Sequence, residues 1–580
     1  MSSEQETWQA AAARKREDRA NRLKPYDDWS LGDLTPPPSQ KNVTSLVHAR
    51  LTDRERSFLA SDVTDLAHRI ATQECTAVEV TTAFCKAAYA AQELTNCLTE
   101  VMFTEALVRA NELDEHLSKT GKVLGPLHGI PISVKDHIFV KGQASACGYV
   151  SWAGKDVAEE DAAIVDILRR LGAIIYVKTT NPQALYALET TSNIYGRTTN
   201  PHNRDLAAGG SSGGEGSLIG SRAGLLGVGT DIGGSIVCWS SFPEYQTFST
   251  WMFPARIPAA WCGLYALKPS SYRLPLSSSD IRTPFRGKED LVLVTGPLAR
   301  SVRDLELFCR VVSEYKPWNF DPNTLSIPWN RSLAQGSESK NLVIGLWIDD
   351  GVVAPHPPIV QCLHRAREAL LAAGHEVVDW VPIAQMEVFE LLVKLFVLDG
   401  GEDIRAPLVD SGEPAVPLIE QLLSFGKPGG YSLAESWALN IQRDQLRTRV
   451  LKHWNETASQ SKTNRPIDAI LCPAAATLAS PHDTTRWAGY SNYWNLMDLP
   501  AAVFPFGEPF DAAQWKSSPR PALNKPRNPI EEFVAGQWDP HTYDGAPIGL
   551  QLVGRRWQEE KLLGDLRTVD AVINQAHRNN

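Results

Sequence analysis

The stretch GGSSGGEGSLIGSRAGLLGVGTDIGGS, residues 209–235, constrains this chain more than any other. It holds eleven glycines and five serines. A flexible Gly/Ser linker would be more monotonous and would not carry Leu225, Leu226, Val228 and Ile232 inside it. Two serine-bearing turns, Gly210-Ser211-Ser212-Gly213-Gly214 and Gly233-Gly234-Ser235, flank a short apolar run and an acid, Asp231. Glycine at such turns lets the backbone take positive φ and approach a ligand closely. Successive exposed N–H groups then form an anion-binding nest, the raw material of an oxyanion hole, with a hydroxyl nucleophile where the donors converge.

Other glycine loops do not fit. A phosphate-binding P-loop ends in Gly-Lys-Ser/Thr, which is missing. A dinucleotide fingerprint forced onto Gly227-Val228-Gly229 has its third glycine at the wrong offset. The nucleophile elbow Gly-x-Ser-x-Gly fails because Val237 occupies the place of its last glycine.

The run resembles the signature of the amidase signature family, the Ser–cis-Ser–Lys amide hydrolases. Gly129–Asp136 (GIPISVKD) is similar to the segment carrying that family's catalytic lysine. Tyr176–Gln183 (YVKTTNPQ) and Gly196–Pro201 (GRTTNP) resemble the strand and loop before the signature. Cys262–Ser270 (CGLYALKPS) and Gly296–Val302 (GPLARSV) follow it, and Asn495–Ala501 (NLMDLPA) and Gly545–Arg556 (GAPIGLQLVGRR) complete the pattern in family order. Glu79–Lys86 (EVTTAFCK) and Leu94–Cys97 (LTNC) further resemble the fungal acetamidase and general amidase branch.

The resemblance implies an α/β fold, an α/β/α sandwich around a central mixed β-sheet, and it assigns roles. Ser235 is the nucleophile, with the N–H groups of Ile232, Gly233, Gly234 and Ser235 as oxyanion hole. Ser211 bridges to the base and follows a cis peptide bond, the choice over its neighbour Ser212 resting on the family's offset. Lys135 is the base, Asp231 holds the loops together, and Ser211, Ile232, Gly233 and Gly234 face the substrate. A serine hydroxyl is a poor nucleophile without a base in reach, and desolvation is what frees a lysine to be that base. The apolar run Gly129–Val134 ahead of Lys135 reads as a buried strand, which argues against a lysine that snorkels to the surface. The reaction needs no cofactor and no metal, and the thirteen histidines show no metal-ligand spacing.

One segment departs from the pattern. The family continues Ser-Ile-Arg after the nucleophile, whereas here nineteen residues, 237–255, separate Ser235-Ile236 from Arg256. They hold two tryptophans, three phenylalanines and a tyrosine. The segment reads as a loop beside the active site, as translated intron sequence, or as the mark of a decayed copy. The family's arginine braces the serine loops against Asp231, so displacing Arg256 from Ser235 is expected to weaken or abolish activity, since errors of about 1 Å can cost around a hundredfold in rate.

At 580 residues the chain could hold several domains, but the motifs span one catalytic unit, 46–580, behind a helical arm, 1–45, that ends at Pro36-Pro37-Pro38. Nine cysteines without a C-x-x-C pattern and no secretory signal suit a reducing, cytoplasmic setting. A net charge of −10 with no basic stripe argues against nucleic acid, and no apolar run reaches a membrane span. The expected partner is a small-molecule amide, and a homodimer is compatible.

Thr52 with Glu55 predicts a capped helix start. The runs at 132–134, 174–177 and 343–347 predict buried strands, and 359–373 a helix leading into a strand at 375–381. Between 385 and 460, Phe389, Leu391, Leu392, Leu395, Phe396, Tyr431 and Trp437 are expected to fill core rather than line a pocket. The function expected is hydrolysis of a carboxylic acid amide, either a small aliphatic or arylalkyl primary amide or a pathway intermediate, to the carboxylate and ammonia. The alternatives are an amidotransferase-type subunit and a catalytically silent paralogue.

Overall fold

Short apolar runs between polar turns become the central strands. Pro131–Lys135, Ile174–Thr179 and Leu226–Asp231 are buried at every position, as strands covered on both faces must be. They lie parallel, with Ser133 opposite Val177 on one side and Gly227 on the other. The computed structural model describes residues 6–232, 256–336, 341–515 and 526–578. Among them, eleven strands form one sheet in the order Leu98–Val101, Ile174–Thr179, Pro131–Lys135, Leu226–Asp231, Val294–Ala299, Tyr265–Lys268, Ala501–Pro505, Gly549–Val553, Ala469–Pro473, Val343–Leu346, Glu376–Asp379. Pairing is parallel from Ile174–Thr179 to Leu226–Asp231 and again from Ala469–Pro473 to Glu376–Asp379, and antiparallel between these blocks. The sheet is mixed, as expected.

Strand alternation separates two cores. Ala469 and Leu471 enter one apolar cluster, Ile470 and Cys472 the other. The helices Pro357–Ala372 and Glu559–Arg578 send Leu363, Ala366, Leu562 and Leu566 into the first cluster. Gln385–Phe396, Leu433–Glu456 and Gly489–Leu496 send Leu392, Leu395, Val450, Trp454 and Trp494 into the second. Helices therefore cover both faces, the three-layer arrangement of the α/β reading. No helix among the described residues is long and apolar enough to cross a membrane.

The local signals hold with small shifts of boundary. Thr52 and Glu55 form a reciprocal capping box on Asp53–Ala60. The helix predicted from 359 starts at Pro357, because proline suits a first turn whose N–H groups have no helical partner. The strand after it is shorter, Glu376–Asp379. Near the N-terminus, the helix Trp8–Leu23 lies against the body, where Lys15 pairs with buried Glu100 at 2.6 Å and Arg19 donates to the Leu98 carbonyl at 2.6 Å.

The glycines of the signature work differently from the sequence reading. Between residues 209 and 232, only Gly209 among the glycines has positive φ, 82°. The others are needed for close approach. A Cβ on Gly227 would overlap the Glu215 carboxylate, and one on Gly214 would overlap the backbone of Thr180. The helix Gly213–Gly220, buried along its whole length, thereby lies directly on the parallel strands. Gly227→Ala is expected to lower stability by about 1–3 kcal/mol through overpacking. Gly536→Ala, in open space at the end of the helix Pro529–Gly536, is expected to be neutral or to add up to about 1 kcal/mol. Denaturation midpoints of the two variants check the contrast.

Candidate active site

The parallel register carries the C-terminal ends of three strands to one edge, where α/β sheets place their ligand sites. Lys135 ends its strand there, fully buried. Its Nζ lies 2.6 Å from Ser211 Oγ and 2.9 Å from Thr230 Oγ1. Both partners are neutral hydroxyls. Burial penalises the ammonium and pulls the Lys135 pKa down to about 7, against the opposing fields of Asp231, Cys147, Glu215 and Asp136.

Ser211 follows a cis peptide bond from Gly210 and opens the turn into Gly213–Gly220. Ser212 Oγ lies 3.4 Å from both the N and the O of Thr230, tying that turn to the Leu226–Asp231 strand. Ile232 is the last described residue of the second serine loop and is buried. Gly233, Gly234, Ser235 and the segment 237–255 lie outside the described residues.

Arg256 corrects an expectation. Twenty residues separate it from Ser235 in sequence, yet its Nε donates to Asp231 at 3.1 Å, both groups being buried. The same guanidinium donates to Gln551 Oε1 and to the Ser491 carbonyl, each at 2.9 Å, and to Asn495 Oδ1. Asn495 Nδ2 in turn donates to Asp231 at 2.6 Å. The brace that the inserted segment was expected to displace is in place. The planar five-donor fork of arginine explains how one side chain joins four partners.

Several residues at this edge escaped the sequence reading. Glu215, buried, accepts from Ser133 at 2.6 Å and from Thr179 at 2.8 Å, and burial pushes its pKa up to about 7. His137 Nε2 lies 2.8 Å from Thr230 Oγ1. Lys178, also buried, donates to the Ala144 carbonyl and to Ser145. Asn495 and Gln551 sit inside the blocks NLMDLPA and GAPIGLQLVGRR, so a signal for them was present without a role attached. Farther off, Phe389, Leu391, Leu392, Leu395 and Phe396 are core as expected, but Tyr431 is half-buried and Trp437 is 61% exposed.

Comparison with known proteins gives the family. A family model described as Amidase matches residues 79–244 and 255–563. The chain belongs to the amidase signature family. As a member it is an amide-hydrolysing enzyme. It is 36% identical to an acetamidase of Emericella nidulans over 98% of both chains, and 35% identical to an acetamidase of Aspergillus oryzae over 96% of this chain and 97% of that one. A solved fatty acid amide hydrolase superposes with a TM-score of 0.85 at 31% identity, covering 97% of this chain and 94% of that one. The two matched stretches leave out residues 245–254, inside the inserted segment.

Removing Arg256 leaves the Asp231 carboxylate buried without its cation. Arg256→Met is expected to cost roughly 3–5 kcal/mol of stability, partly recovered by adding Asp231→Asn. Denaturation of the single and double variants measures both effects.

Proposed function

We propose that this enzyme hydrolyses a carboxylic acid amide to the carboxylate and ammonia through an acyl-enzyme on Ser235, with Ser211 and Lys135 as its proton relay. The observation that carries the proposal is the buried Lys135 amine, 2.6 Å from Ser211 Oγ and with its pKa near 7. Neutral Lys135 accepts the Ser211 proton while Ser211 accepts that of Ser235, whose oxygen bonds to the amide carbon. The N–H groups of Ile232, Gly233, Gly234 and Ser235 hold the oxyanion. The proton returns through Ser211 to the amide nitrogen, the C–N bond breaks, and ammonia leaves. Water then attacks the acyl-enzyme by the same relay, releasing the carboxylate and restoring Ser235.

The names of the relatives favour small primary amides, with acetamide and phenylacetamide as first substrates to test. Near end-to-end coverage of the acetamidases supports a hydrolase over an amidotransferase subunit, and ammonia release by the purified chain alone would exclude the latter. The segment 237–255 keeps a second reading open, a catalytically impaired member. The Arg256–Asp231 contact removes the mechanical ground first offered for it. Ammonia release only after deletion of 237–255 would establish that second reading.

A base acts in its deprotonated form, so kcat/KM should fall as pH drops through about 7, by about tenfold per unit well below it. Lys135→Ala should lose nearly all activity. Ammonia release across pH checks both, and a flat profile from about pH 5 to pH 9 would contradict the assignment of Lys135 as base.

A further inference from the structure

Lys135 ends its strand, and the tight turn that follows, Asp136–His137, brings His137 back beside it. The turn after the strand is pinned by Ile138 N donating to the Lys135 carbonyl at 3.1 Å and by Arg282 N donating to the His137 carbonyl at 2.9 Å. The two side chains then meet on one hydroxyl, Thr230 Oγ1, at 2.9 and 2.8 Å. His137 is fully buried. A continuous chain results: Ser211, Lys135, Thr230, His137.

We infer that His137 is a positioning residue for the base: it takes the Thr230 hydroxyl proton and so keeps the Lys135 lone pair turned to Ser211. This rests on the proposed role of Lys135.

A threonine hydroxyl has one proton to donate. Among the described residues, its two close partners here are His137 Nε2 and Lys135 Nζ. If Nε2 carries a proton, it donates to Thr230, and the Thr230 proton is left to point at the lysine lone pair, where it competes with Ser211. If Nε2 is bare, Thr230 donates to it, accepts an N–H from Lys135, and leaves the lone pair for the Ser211 proton. The second arrangement reserves the lone pair for Ser211, whereas the first lets the Thr230 hydroxyl compete for it. The second requires a neutral ring with its proton on Nδ1, a buried nitrogen without a hydrogen-bond partner among the described residues. Burial holds the ring neutral, reinforced by the charges of Lys135 and Lys178, while the Arg282 backbone acts in the opposite sense. The groups acting on Lys135 are Asp231, Cys147, Glu215 and Asp136, and Asp231 is itself engaged by Arg256.

Losing the acceptor has a signed consequence. With His137→Leu, the ammonium form of Lys135 leaves the Thr230 proton unpaired in a buried site, whereas the amine form can receive it. The lysine pKa therefore falls, and its lone pair is occupied.

The test is the rate of inactivation by a fluorophosphonate, followed across pH in the full chain. His137→Leu should slow inactivation on the order of tenfold or more and shift the acid limb to lower pH. His137→Gln, whose amide oxygen can replace Nε2 as acceptor, should restore most of the rate and return the limb. In a Thr230→Val background, His137→Leu should add nothing. A slowed His137→Leu with an unmoved acid limb would mean a merely structural role and overturn the inference. Should His137→Leu not fold, histidine-selective 15N NMR of the wild-type chain decides. The ring whose signals vanish in His137→Gln must show an unprotonated Nε2, and a protonated one overturns the inference. Lys135→Ala separates the two claims: inactivation as fast as wild type would remove the base assignment itself.

Discussion

The constraint on which the site depends is an amine buried, among the described residues, without a salt-bridge partner. Among the described residues, Lys135 meets only the hydroxyls of Ser211 and Thr230. The nearby carboxylates are committed elsewhere: Asp231 to Arg256 and Asn495, Glu215 to Ser133 and Thr179, and Asp136 to the amides of Ala146 and Cys147. A carboxylate in direct contact would stabilise the ammonium and disable the base. The surrounding hydrogen bonds hold Asp231 and Glu215 through both carboxylate oxygens and Asp136 through Oδ2, while the Asp136 Oδ1 has no partner among the described residues.

That arrangement depends on how closely backbone meets backbone. The glycines at 214 and 227 let the Gly213–Gly220 helix rest on the strands carrying Lys135 and Thr230. Ser212 ties the same turn to Thr230. On the far side, Arg256 gathers Asp231, Ser491, Asn495 and Gln551 and so joins the signature to the C-terminal half of the sheet. The Arg256–Asp231 contact forms with twenty residues between Ser235 and Arg256, so it needs Arg256 to arrive but not to follow the serine immediately.

Much of this was legible in the sequence, and the limits were physical. Lys135 at the end of an apolar run, Thr52 before Glu55, and the strand–helix–strand pattern after residue 343 are local signals, and each became the expected element. The asparagine that touches Asp231 lies 264 positions away, and Gln551 lies 295 from Arg256, distances at which periodicity carries no information. Thr230 and His137 drew no reading from the sequence, since only the strand register and the turn after Lys135 bring them together. The glycines were read as turn formers because composition does not distinguish positive φ from close packing. Trp437 was misplaced because an aromatic residue on a mixed helix carries no label for the face it takes.

The central claim is that a buried, neutral Lys135 activates Ser235 in the chain that includes residues 237–255. Fluorophosphonate treatment of the folded full-length protein, with the modified peptide mapped by mass spectrometry, tests it most directly. A single adduct on Ser235 is the predicted result. An adduct on another residue, or none on a protein shown to be folded, would contradict the account.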